Sequence, residues 1–274
     1  MEEQIVNNEQ LQKWDAIQND IASKLVETDT IVELSEISYI GGLYLLEDTK
    51  GDPTLCVAGL SIIDFETNKC IYSYAEVFHT DVPYVSGYIG FREVPIFEEL
   101  YEKFMIRKPE YSPDLLVINS YGKLHPKKAG SATQLAIDLK LPVIGVGQTI
   151  LNVDGLSERI AKLDFKQQCQ NVGEYAELKG ESGEIYGAAV KTSLVSSNPV
   201  YVTIGSGISL GTAIDVIINC SEFRTPDPIR KAEKKAKDVL MIHKKALSKA
   251  NKEDNDDNKE DDSKVKTSVN ISTC

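Results

Sequence analysis

The chain has 274 residues, 42% of them hydrophobic, and a formal net charge of -12. That length and apolar fraction fit one sizeable core with appendages rather than two full domains, and no run of about 18 apolar residues is present to cross a membrane as a helix. The acidic balance also disfavours nucleic-acid binding through bulk charge, because phosphates are repelled by an acidic surface.

In chain order, Met1-Glu2-Glu3-Gln4 lacks the positive flank and apolar centre of a secretory signal. Residues 9–26 place Leu11, Trp14, Ile17, Ile21 and Leu25 at spacings of three and four, which predicts an amphipathic helix. A short strand is expected at Leu43–Leu46, between Gly41-Gly42 and Gly51-Asp52-Pro53. Two longer strands, 55–65 and 70–78, flank a hairpin turn at Glu66-Thr67-Asn68-Lys69. Residues 94–104 have helical periodicity, and Leu115–Ile118 is apolar throughout, as in a strand buried on both faces. A helix over 129–138, a buried strand over 142–146 and strands over 185–190 and 200–204 follow. A helix over 208–218, capped by Ser206 or Ser209, comes next.

From Arg230 to Lys249 there are eight Lys or Arg against Glu233 and Asp238, on a predicted helix ending near Ala250. The remaining segment, 251–274, is acidic, polar and poor in apolar groups, so it is expected to stay disordered. The order of elements predicts an α/β domain over 1–228 with a mixed sheet, then a basic helix at 229–250 and the acidic tail. Five scattered cysteines, Cys56, Cys70, Cys169, Cys220 and Cys274, show no metal-ligand spacing. They point to reduced thiols in an intracellular compartment; the location expected is the nucleus (nucleolus included) or the cytoplasm.

Several blocks carry a more specific message. PYVSGYIGFREVP occupies 83–95, GKLHPKKAG 122–130, IGV 144–146, GAAVKT 187–192, ISLGTA 208–213 and FRTPDPIRKA 223–232. In this order over some two hundred residues the chain resembles the endonuclease V family, which cuts nucleic acid near deaminated bases, notably hypoxanthine, on a ribonuclease H-like fold. The resemblance implies a ribonuclease H-like mixed sheet flanked by helices, and DNA or RNA as partner. It also implies Mg²⁺ as the cofactor, held by clustered carboxylates that activate water and steady the leaving oxygen.

Carried across position by position, that site is largely neutral here. Glu93 is retained and would be the metal ligand. Ser61 stands where an Asp is expected, Asn119 where a second Asp is expected, Gln148 for a Lys and Ser206 for an acid or His. In the base pocket the matching positions are Ile89, Gly122 and Gly130, narrowed by Ser120 and Tyr121. Tyr84 matches a strand-separating aromatic, with Ser86 in place of a usual Pro, and Lys127 and Lys128 match a phosphate-touching basic pair. His125-Pro126 reads as framework rather than ligand. Asp64 and Glu66 point to the opposite face from Ser61, and Asp114 lies at the far end of its strand, roughly 15 Å away.

Three functions follow. One is a family member that binds nucleic acid or a protein but has lost catalysis. Another is an active metal-dependent endonuclease with a rebuilt site, drawing a carboxylate such as Glu181 or Glu184 from a loop. The third is a protein-interaction module that buries the old active-site face or takes an acidic partner on the basic C-terminal helix.

Overall fold

In the computed structural model, which describes residues 6–30, 33–49 and 51–267 and side chains as far as Ser248, the apolar runs form the middle of one sheet. Its eight strands are β1 (Tyr39–Glu47), β2 (Leu55–Asp64), β3 (Lys69–His79), β4 (Leu115–Ile118), β5 (Val143–Gly147), β6 (Tyr175–Lys179), β7 (Ile185–Val190) and β8 (Val200–Ser206). Their order is β3-β2-β1-β4-β5-β8-β7-β6. The central strands β1, β4 and β5 run parallel, and every other pairing is antiparallel. This is the ribonuclease H-like mixed sheet that the resemblance implies.

β4 and β5 are buried along their whole length because helices cover both faces of the sheet. On one face α2 (Gly90–Arg107) and α3 (Ser131–Leu139) pack Val94, Phe97, Leu100, Phe104 and Leu135 over Leu43, Leu60, Leu116 and Ile118. On the other, α5 (Leu210–Asn219) and the start of α6 (Asp227–Thr267) close over Ile40, Val117, Ile144 and Val202. α4 (Glu158–Gln168) and β6, neither of which the sequence pattern exposed, make a smaller third cluster around Phe165, Leu178 and Tyr201. The four described cysteines are free thiols. No helix among the described residues is long and apolar enough to cross a membrane.

The structure corrects or narrows three sequence expectations. The first helix, α1 (Asn8–Ser23), buries Trp14, Gln18 and Ile21, whereas Ile17 is 44% exposed, so a glutamine takes the inner position expected for an isoleucine. Ser209, not Ser206, caps α5, its Oγ accepting from the Thr212 N–H.

The third concerns α6, which is not an appendage starting at 229. Its first turns belong to the body, seated so closely that a Cβ on Gly42 would meet the Pro228 carbonyl oxygen at 2.2 Å and one on Gly59 the Ala232 oxygen at 2.2 Å. Glycine on the strands and alanine on the helix are what this approach requires. The helix also passes the expected boundary at 250 and runs to Thr267, there being no Gly or Pro after Pro228 to stop it. Only 268–274 of the expected disordered tail lie outside the described residues.

Candidate nucleic-acid cleft

A cleft of about 420 Å³ opens at the C-terminal ends of the parallel strands β1, β4 and β5, the edge where open α/β sheets take their ligands. Tyr44 enters it from β1, Tyr84, Ser86 and Ile89 from the β3–α2 loop, and Glu93 from the first turn of α2. Asn119, Ser120, Tyr121 and Gly130 come from the connection between β4 and α3, and Gln148 and Thr149 follow β5. Of the residues singled out by resemblance, the fold thus gathers Glu93, Asn119, Gln148, Tyr84, Ile89 and Gly130 around one cavity. Tyr84 stands at its mouth, 65% exposed.

Others are not brought there. Ser61 lies beneath α6, its Oγ donating to the Pro228 carbonyl at 2.7 Å, and it pairs with Gly42 rather than with a cleft residue. The cleft-facing position comes from β1 instead. Leu43 pairs with Ile118, so Tyr44 and Asn119 are the next residues on two adjacent parallel strands. Ser206 sits at the opposite edge of the sheet. It pairs with Val143 at the start of β5, roughly 13 Å from the cleft end of that strand at about 3.3 Å per residue. There its Oγ accepts from the Val26 N–H at 2.9 Å. Gly122 is a packing position, since a Cβ there would lie 2.0 Å from the Ile204 carbonyl oxygen on β8.

The basic pair is already engaged. Lys127 is bonded to Asp15, and Lys128 contacts Glu184 at 3.1 Å. Glu184 also takes the buried Lys123 ammonium at 2.5 Å, and Glu181 packs over Gly155. Neither loop carboxylate that a rebuilt site was expected to use therefore reaches the cleft. One acidic residue not singled out from the sequence does come close. Glu233 of α6 acts electrostatically on Tyr44, whose phenol is pushed up first by burial and then by this carboxylate, and Glu233 pairs with Lys237 at 2.6 Å.

Glu93 is the acid of the cleft wall, and it is buried. Ser120 and Ser131 both donate to its Oε2, at 3.0 and 2.7 Å, tying α2 to the β4–α3 connection and to the start of α3. Burial outweighs these two donors and pushes the carboxyl pKa up to about 7. Its neighbour Arg92 turns away and spends its guanidinium on Glu47 and on the carbonyls of Val82 and Pro53. His125 is likewise framework. Its Nδ1 accepts from the Lys127 N–H, so Nε2 carries the proton and donates to the Gly87 carbonyl at 2.9 Å, binding the GKLHP block to the GYIG block. Burial holds this imidazole below its ordinary pKa. Tyr121 closes one end of the cleft, its hydroxyl 2.8 Å from Thr149 Oγ1.

This donor set does not fit a divalent cation. Mg²⁺ wants hard anionic oxygens in octahedral array. Glu93 has one oxygen committed to two hydroxyls, Tyr44, Asn119 and Ser120 are neutral, and Glu233 is neutralised by Lys237. Among the described residues no group of three His, Cys, Asp or Glu side chains is placed to hold a metal ion.

Comparison with known proteins places this geometry. The endonuclease V family profile matches residues 19–234. Endonuclease V of Mus musculus is 30% identical over 237 residues, spanning 85% of this chain and 70% of that protein. The crystal structure of the catalytic domain of human endonuclease V superposes with a TM-score of 0.83 at 29% identity, covering 89% of this chain and 99% of that one. Ciona intestinalis endonuclease V, in complex with a 24mer DNA containing an inosine followed by a ribo-adenosine, superposes with a TM-score of 0.81 at 25% identity, covering 86% and 99%.

Proposed function

The chain belongs to the endonuclease V family, and from that membership we propose that it binds inosine-containing nucleic acid in the cleft at the ends of β1, β4 and β5 without cleaving it. The family acts on deaminated nucleic acid and depends on a divalent metal. One observation carries the loss of chemistry: the retained Glu93 is buried under two serine hydroxyls, with a phenol and a carboxamide at the neighbouring strand ends. Such a group holds helices together better than it holds a cation. Binding is supported by what remains. The cavity is open, its glycine-lined wall admits a flat ring, and Tyr84 stands exposed at its mouth to stack on a base.

Phosphate attraction contributes little to this binding. Among the described residues no Lys or Arg lines the cleft, and the nearby Lys127 and Lys128 are held by carboxylates. In fluorescence anisotropy with EDTA present, an oligonucleotide carrying one inosine is expected to bind more tightly than its adenosine counterpart. The log–log salt slope is expected to be about -2 or shallower, the release of at most about two counterions. An inosine preference that vanishes on chelation would contradict the reading, and so would a slope steeper than about -5.

A further inference from the structure

α6 carries its charge in two blocks. Arg230 to Lys249 holds eight Lys or Arg against two acids, and Glu253 to Asp262 holds seven acids against Lys259. The excess is therefore six positive charges in the first block and six negative charges in the second. The helix is unbroken from Asp227 to Thr267, so the blocks stand end to end on one rod and cannot fold back on each other.

The acidic block lacks what would hold it helical alone. Among the described side chains the last ion pair between α6 and the body is Lys244 with Asp48, at 2.7 Å. The helix continues for about 35 Å past that tie, at 1.5 Å per residue. Positions 251–264 contain no apolar residue to bury. Helical spacing sets Glu253 against Asp257, Asp256 against Glu260 and Asp257 against Asp261, like-charge pairs that weaken an isolated helix. Acids toward the C-terminal end also oppose the helix dipole. Such a segment calls for cations from another chain. The basic block calls for anions, and it is open, with Met241 51% and Ile242 63% exposed.

We propose that a second copy of this chain lies antiparallel along α6, so that the acidic block of each copy covers the basic block of the other. The two-fold axis crosses the helix near Ala250, between the blocks. One self-complementary surface then neutralises both blocks on both chains, which is what an isologous dimer requires. The positions at three- and four-residue spacing from Ile242, namely Ala246, Lys249, Glu253 and Asp256, share one face of the helix. An exposed apolar side chain, a small residue that allows close approach, and both signs of charge thus lie along the same stripe. A nucleic-acid backbone would serve the basic block alone and be repelled by the acidic one.

The test is sedimentation equilibrium of the full chain. In about 50 mM salt the native protein should show twice the mass of one chain, falling to a single mass near about 500 mM as the charges are screened. The variant carrying Lys245→Glu and Lys249→Glu should remain single at low salt, and so should the one carrying Glu253→Lys and Asp257→Lys. An equimolar mixture of the two should recover the doubled mass, because the reversed basic block of the first meets the reversed acidic block of the second. Weakening of the helix within one chain would not be cured by mixing. All four positions lie beyond Lys244, so the body keeps its contacts in both variants. A native chain of single mass at low salt would overturn the proposal. So would a doubled mass that survives about 500 mM salt or either reversal, and so would variants that stay single when mixed.

Discussion

Glu93→Gln is expected to make the protein more stable at pH 8, by up to about 3 kcal/mol, and to flatten its stability profile across the acid-to-neutral range. The native carboxyl titrates near pH 7 instead of 4.5, because burial disfavours its charge more than Ser131 and Ser120 favour it. Below 4.5 the group is protonated in both folded and unfolded chains and has no effect on the balance. Between 4.5 and 7 the folded chain holds the proton that the unfolded chain has released, so stability falls as the pH rises. Above 7 the full penalty is present, at about 1.4 kcal/mol per unit of difference. Glutamine removes the titration while keeping an oxygen for the two serines. Urea denaturation at pH 4.5, 6, 7 and 8 measures this; parallel profiles for native chain and variant would show that Glu93 titrates like an exposed acid.

Placing charge at the two neutral strand ends should raise metal affinity. The variant carrying both Tyr44→Asp and Asn119→Asp is expected to bind Mn²⁺ at least tenfold more tightly than the native chain, measured by electron paramagnetic resonance of the free ion. The residues paired just before them, Leu43 and Ile118, put both new carboxylates on adjacent strands about 4.8 Å apart, beside Glu93. Three hard anionic oxygens would then converge where the native site offers one carboxylate tied to two serines. Equal Mn²⁺ affinity in both proteins would mean that the native donors already suffice and that their neutrality has been misjudged.

Much of this arrangement is legible in the chain. The runs 115–118 and 185–190 become strands with those bounds, and the blocks at 83–95 and 122–130 meet through His125 and Gly87 as parts of one cleft. Ser61 shows where the reading fails. A strand's alternation says which residues share a face, but not which strand lies next to β4, and it is β1 that pairs there in parallel. The cleft position therefore belongs to Tyr44, inside Gly-Gly-Leu-Tyr, and not to a residue of the longer strand that follows. Ser206 fails for a related reason. β8 runs antiparallel to β5, so the end of β8 lies at the wrong edge.

Glu233 was within reach, one residue beyond the block ending at Ala232. Only the seating of α6 on Gly42 and Gly59 brings it toward Tyr44. Gln18 carried a signal too, four residues after Trp14. Helical spacing puts it on the buried side as readily as Ile17, and hydrophobicity alone chose wrongly.

The central claim, a family cleft that holds its ligand and does not cut it, is tested most directly by incubating the native chain with end-labelled inosine-containing DNA and RNA in Mg²⁺ and in Mn²⁺. Intact strands over hours, with inosine-selective binding in the same buffers, are the result expected from a Glu93 bound by Ser120 and Ser131 beside Tyr44 and Asn119. Metal-dependent scission near the inosine that disappears in Glu93→Ala would contradict it.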